Sequence, residues 1–375
     1  MIEGSVNLTR SIPGDGFDKT PLNNLLEALA KEKPTIKDAT THASAKDLAP
    51  VVYRFNMHDL RIKDNRGLAL AAYIAQQAKQ PLLTTFIFAP GDYRAHDRSA
   101  ARIDFVLRNL CYLQQELAKR NIPLITATCE QRKEQGAFMQ SFMKEHHATL
   151  LFGNIEYEID ELRRDLQIVE TLRSAKMHAF FVHDTCVIPP GRLSSGKGHP
   201  YGVYSPYKRA WMAASPVTAP HLQVAPPPAA NDASVRKDAT FAAYFDHTIP
   251  ASIPGFELKD NKERLHKLWP AGTDVAEKLL VRFITTLADQ KIIDTETAPL
   301  EQGKEGDPKK SRLALYGEQR SRLDIDGSSR LSPVPFFCLS CACMSVSTSG
   351  DSTSRRDASL RVPVSALPSN AVATR

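Results

Sequence analysis

From residue 50 to residue 182 the chain alternates short β-prone runs with longer amphipathic ones. Val51-Val52-Tyr53-Arg54-Phe55 is the first such run, and residues 67–79, rich in Ala and Leu, read as a helix. Leu82-Leu83-Thr84-Thr85-Phe86-Ile87-Phe88 reads as a buried strand ending at Pro90-Gly91. Over residues 99–120, Ile103, Val106, Leu107, Leu110, Leu113 and Leu117 recur at steps of three and four, which is one face of a helix. Strands over 123–127, 149–152 and 178–182 then alternate with helices over 136–145 and 160–174. Five strands alternating with helices predict an α/β fold with a five-stranded, doubly wound parallel sheet at residues 49–184. Ligands of such sheets sit outside the carboxyl ends of the strands. The loops after residues 55, 88, 127, 153 and 182 are therefore where chemistry is expected.

The flanks read differently. Residues 1–48 are polar apart from one amphipathic stretch between Leu22 and Ala30, and read as a disordered extension. Glu3, Asp15 and Asp18 argue against an acid-poor transit peptide. Residues 185–250 carry Pro189-Pro190-Gly191 and Pro226-Pro227-Pro228 and read as an inter-domain connector. Helical periodicity returns over 261–268 and 276–289, so residues 251–332 read as part of a helical domain. Residues 333–375 are rich in Ser, Thr and Arg, lack a helical stripe, and read as a disordered tail.

Composition narrows the field only modestly. A chain of 375 residues has room for about two domains. Its net charge of +6 permits a nucleic-acid partner without requiring one. The absence of a long apolar run or an apolar leader predicts an intracellular protein without a membrane span. Six cysteines are too few for a disulfide framework and fit a reducing compartment. The Gly-x-Gly-x-x-Gly and P-loop signatures are absent. Cys338, Cys341 and Cys343 fall short of the four ligands of structural zinc, so no metal is expected.

Two loops stand out. Asn56-Met57-His58-Asp59-Leu60-Arg61 with Asp64-Asn65 reads as a charged loop whose Asp64 or Asn65 caps the next helix. Asn154-Ile155-Glu156-Tyr157-Glu158 leads into Asp160-Glu161-Leu162-Arg163-Arg164-Asp165, where acidic residues complement a helix N-terminus. With Arg54-Phe55 before the first of them as a first-strand signature, and with Tyr201-Gly202-Val203-Tyr204-Ser205-Pro206-Tyr207-Lys208-Arg209-Ala210-Trp211, Trp269-Pro270-Ala271-Gly272 and Ser328-Ser329-Arg330-Leu331-Ser332, these segments lie in the order of a known family. The sequence resembles the DNA photolyase/cryptochrome family, and within it the fungal-type class I cyclobutane pyrimidine dimer photolyases.

The resemblance implies a carbon–carbon lyase that splits pyrimidine dimers in DNA with an electron from reduced, photoexcited FAD. Such enzymes take the damaged base out of the stack. It implies FAD contacts at Tyr316, Ser328, Ser329, Arg330, Leu331 and Ser332, where hydroxyls, backbone N–H groups and a guanidinium suit a phosphate. It implies a folate (methenyltetrahydrofolate) antenna held by His96, Asp160 and Glu161, with a carboxylate accepting the pterin's N–H donors. It implies DNA contacts at Arg320 and Lys208, a monomer, and a nuclear or mitochondrial address. After Ser332 the resemblance stops, so the helical domain reads as truncated, with impaired activity expected of this chain. Trp211 and Trp269, the only tryptophans, both precede Ser328, so the family's electron-transfer tryptophans are not expected here. Two further readings stay open: a cryptochrome-like blue-light photoreceptor, and a non-catalytic α/β antenna-domain remnant.

Overall fold

The computed structural model describes residues 20–32, 38–40, 48–196, 201–214, 224–259 and 261–289. The expected FAD residues Tyr316 and Ser328 to Ser332, the expected DNA contact Arg320, and Cys338, Cys341 and Cys343 lie outside the described residues.

Five strands, β1 (Val51–Phe55), β2 (Leu82–Phe88), β3 (Leu124–Thr128), β4 (Leu150–Asn154) and β5 (His178–Val182), form one parallel sheet in the order β3-β2-β1-β4-β5. Each lies where the sequence predicts a strand, within a residue or two. Every residue of β1, β2 and β4 is buried, which is why these strands read as near-continuous apolar runs. Strand order reverses at β1, between β2 and β4.

Helix α1 (Pro21–Ala30) precedes the sheet. Helices α2 (Arg66–Ala78), α3 (Pro90–Ala95) and α4 (Ala100–Ala118) follow β1 and β2, and α5 (Gln135–Glu145) and α6 (Ile159–Ser174) follow β3 and β4. Right-handed crossovers in this strand order put α2 and α4 on one face of the sheet and α5 and α6 on the other. Asn65 is the cap of α2, its Oδ1 accepting from the Leu68 N–H at 3.0 Å. Asp160 and Glu161 sit in the first turn of α6, as expected of carboxylates near a helix N-terminus.

Two flanks depart from their sequence reading. Residues 20–32 are not a disordered extension. Thr20 caps α1, Pro21 opens it, and Leu22, Leu25, Leu26 and Leu29 are buried, with α1 against α6. Glu32 completes the attachment, with Oε1 2.7 Å from Arg173 Nε and Oε2 2.6 Å from His178 Nδ1. One leucine stripe of ten residues finds a ready-made apolar surface, and that surface is invisible to a local reading.

The Pro-rich connector is likewise packed in its described part. After α7 (Tyr204–Ala214), residues 224–259 run along the α/β domain. Asn231 accepts from Leu82 N–H at 2.8 Å and donates to Leu82 O at 2.9 Å. The short helix α8 (Ala242–Phe245) lies against β3, and Val235, Phe241, Ile249, Ile253 and Phe256 join the hydrophobic core. The edge strand β3 is thereby covered, a common protection for unpaired strand edges.

Helices α9 (Lys262–Leu268) and α10 (Thr273–Asp289) dock on α4 through polar contacts. His266 Nε2 lies 2.9 Å from Asp104 Oδ2, and Arg108 donates to Trp269 O at 2.8 Å. Gly272, at φ +108°, brings the chain so close to Tyr112 that a Cβ would lie 3.0 Å from its ring.

Candidate functional site

On the α2 side, the point of strand reversal is filled by hydrogen bonds. Asn154, with no exposed surface, ends β4 and accepts from Gly67 N–H at 3.0 Å. Its Nδ2 lies 2.9 Å from both Asp59 Oδ2 and Asn65 Oδ1 and 3.0 Å from Tyr53 OH. Tyr53 donates to Asp59 at 2.6 Å, and Asn56 N–H donates to the other Asp59 oxygen at 2.8 Å. Burial pushes the Asp59 carboxyl up to about 7, against the hydrogen bonds from Tyr53 and Asn56. Arg61 clamps the rim through Asp184 and the Asp64 carbonyl. These side chains occupy the place where many doubly wound folds admit a ligand.

Between the sheet and α6 lies a second buried cluster. Arg54, the fourth residue of β1, donates to Asp165 Oδ1 at 2.6 Å and places its guanidinium 5.3 Å from the Phe181 ring centre. Arg164 reaches both Asp165 Oδ1 and Glu156 Oε2 at 2.8 Å. Burial works to raise the Glu156 carboxyl, but Arg164, His58 and Arg54 hold it below the ordinary range. For Asp165, burial wins over the same arginines and its carboxyl is raised. The pair of signatures that the sequence shows at β1 and β4 is thus a single charge cluster that fixes α6 to the sheet.

This cluster forms the floor of a solvent-open cleft. Its walls come from the carboxyl ends of β1 and β2 (Phe55, Phe86), from α3 (Tyr93), from the start of α5 (Gln135) and from α6 (Glu161, Arg164). Its polar inventory is unbalanced. Gln135 is 3% exposed, yet its Oε1 has no hydrogen-bond partner. Arg132 Nη1 lies 3.4 Å from Glu161 Oε1 and 3.5 Å from Asp160 Oδ2, near enough for attraction but not hydrogen-bonded. Burial, followed by repulsion from Glu156, raises the Glu161 carboxyl. Buried polar atoms in folded proteins are usually paired, with protein groups or with ordered water.

Of the sequence-predicted antenna residues, Glu161 lines the cleft; His96 and Asp160, 41% and 43% exposed, are not among its lining residues but lie 3.4 Å from each other, with Asp160 3.5 Å from the cleft residue Arg132. Asp160 also lies 3.3 Å from Arg163 Nη1. Arg132, Gln135, Arg54, Tyr93 and His58 are cleft residues that the sequence reading missed. Only the Arg54 and His58 segment carried a signal, as part of the first-strand signature. Lys208 lies apart on α7 and is half-buried. Among the described residues no group of three or more His, Cys, Asp or Glu side chains is arranged to hold a metal ion. No described helix is long and apolar enough to cross a membrane.

A doubly wound parallel domain with a cleft outside its strand ends has the architecture on which ligands of α/β folds commonly sit. The family model for DNA photolyase matches residues 51–229, which include all five strands and the cleft. The chain is 38% identical over 288 residues to a deoxyribodipyrimidine photo-lyase of Neurospora crassa, a match covering 76% of this chain and 45% of that protein. It is 29% identical over 203 residues to a mitochondrial deoxyribodipyrimidine photo-lyase of Saccharomyces cerevisiae, covering 50% of this chain and 34% of that one. A deoxyribodipyrimidine photo-lyase of Salmonella typhimurium is 30% identical over 154 residues, covering 41% and 32%. Residues 51–229, just under half of the chain, are thus similar to the DNA photolyase family. The chain spans less than half the length of these curated relatives.

Proposed function

We propose that the protein serves light-driven repair of cyclobutane pyrimidine dimers in DNA, as a deoxyribodipyrimidine photo-lyase, with the α/β domain carrying a folate antenna. The observation that carries the antenna reading is the unpaired Gln135 Oε1 in the wall of a cleft that also contains Glu161 and Arg132, with Asp160 next to Arg132 and His96 next to Asp160. A pterin ring presents N–H donors and a carbonyl on one edge, which complements the Gln135 acceptor, the Glu161 carboxylate and the Arg132 donor. Tyr93 of α3 lines the same cleft. Bound folate supplies absorbed light energy and reduced FAD the electron that opens the dimer; the protein's part is position and electrostatics.

The relatives' names support the substrate class, and FAD as the second cofactor follows from the family resemblance. DNA bearing pyrimidine dimers is the proposed partner, with phosphate-directed cations such as Lys208 contributing position and not sequence reading. A nuclear or mitochondrial address and a monomeric state complete the proposal; the yeast relative is itself described as mitochondrial.

The test is illumination of the purified chain, supplemented with reduced FAD and methenyltetrahydrofolate, with an oligonucleotide carrying one thymine dimer. Loss of the dimer in light and not in darkness supports repair. Saturable folate binding without repair at any FAD concentration leaves the antenna domain and overturns the activity.

A further inference from the structure

Residues 231–256 form a continuous strap on the edge of the domain, anchored at three levels. At the amino ends of the strands, Asn231 is tied to Leu82. Midway along β3, Thr126 Oγ1 bonds His247 Nε2, and Gln114 of α4 donates to His247 O at 2.6 Å. At the carboxyl ends, Phe256 packs edge-on against Tyr93, ring centres 5.9 Å apart. Tyr93 belongs to α3 and lines the cleft. The strap therefore supports a wall of the cleft from behind.

The strap's aromatic anchor closes on a histidine. His146, at the end of α5, is 2% exposed. Its ring is surrounded by Phe142 of α5 at 4.6 Å and by Tyr244 and Phe241 of the strap at 5.5 and 5.9 Å. Nε2 lies 2.8 Å from Tyr244 OH, and Nδ1 is buried without a partner. The neutral ring tolerates this arrangement, because Nδ1 then carries only a lone pair. The cation would bury a second N–H with no acceptor. Among the described residues no carboxylate forms an ion pair with His146; the charged neighbours are the exposed Glu145 and His147 on its own segment. Burial holds the ring below its usual value, Glu145 opposing and His147 adding to the effect.

We propose that His146 is an acid-sensitive latch: its protonation expels Tyr244 and Phe241, frees the strap from α5, and loosens the Tyr93 wall of the cleft. The consequence for ligand binding rests on the antenna reading above; the opening of the latch does not. The sign follows from linkage. A base whose folded value is depressed contributes stability that is present above its unfolded value near 6.5 and is lost as pH falls through the folded value.

The test is amide hydrogen exchange of the full chain, corrected for intrinsic rates, at about pH 7.5 and about pH 5. In the native chain, protection of residues 238–247 should fall about tenfold or more on acidification while β1 and β2 keep theirs. His146→Phe should hold the strap equally protected at both values. Tyr244→Phe keeps the ring and the acid response but lowers protection at the higher pH, and so covers the case in which His146→Phe does not fold. Flat protection in the native chain, or an unchanged acid response in His146→Phe, overturns the latch. Methenyltetrahydrofolate fluorescence, titrated in parallel, reads the cleft. Affinity that falls together with strap protection supports the coupling, and unchanged affinity with an open strap overturns it. Absence of binding at both pH values overturns the antenna reading and leaves the latch standing on exchange alone.

Discussion

Asn154 is the residue whose loss the fold should feel most sharply. Its amide has no exposed surface and serves Tyr53, Asp59, Asn65 and Gly67 at once. Asn154→Ala removes the acceptor of Gly67 N–H, a first-turn donor of α2, and leaves that buried group unpaired at a cost of about 1–3 kcal/mol. It also removes a donor from the Asp59 carboxylate, and hydrogen bonds to charged groups contribute about 1.5–3 kcal/mol. Together the loss is about 3–5 kcal/mol, a large share of the 5–15 kcal/mol that typically separates folded from unfolded chains. With a urea slope of about 2 kcal/mol per M, the unfolding midpoint should move down by about 1.5–2.5 M. Urea titration followed by circular dichroism measures it directly. A shift below about 0.5 M at unchanged slope would mean that the network reorganises around the hole, and would refute the claim that it holds β1, β4 and α2 together.

Three further outcomes follow from the same geometry. Asp59, whose folded value of about 7 lies above its unfolded value of 3.8, contributes stability that is full below 3.8 and is lost as pH rises through about 7. Asp59→Asn should therefore flatten the decline in stability across that window, as measured by thermal melts; an unchanged slope would point to another group. Gly67→Ala should lower stability by about 1–3 kcal/mol, because its Cβ would lie 2.6 Å from Asn154 Oδ1 and 2.9 Å from Gly153 O, and a melting temperature equal to the native one would contradict the packing. Glu32→Ala should release α1, costing about 1–3 kcal/mol since Arg173 and His178 are each about one-third exposed, and should make residues 20–32 the first site of proteolysis. Persistence of α1 under protease would show that the leucine stripe alone holds it.

The sheet was legible in the sequence because strands buried on both faces and helices with a single apolar stripe leave distinct periodicities. The strand runs Val51–Phe55 and Leu82–Phe88 and the Ile103 to Leu117 stripe of α4 needed no tertiary information. The flanks were not legible for the opposite reason. The apolar residues of α1 and of the strap are few and separated by polar residues or proline, and they acquire meaning only beside α6 and β3. The cleft divides in the same way. Glu161, Asp160 and His96 were reachable through family resemblance, but Gln135 is an unremarked polar residue at a helix start. Its importance is that its Oε1 is buried and unpaired, which no local pattern records.

Methenyltetrahydrofolate binding to the purified chain and to Gln135→Leu tests the central claim most directly. Leu retains bulk and removes the acceptor. Saturable one-to-one binding to the native chain, weakened about tenfold or more in Gln135→Leu, is the predicted result, as expected when a ligand donor loses its partner in a buried site. The absence of saturable binding, or equal affinity in the variant, would contradict the assignment of this cleft as an antenna site.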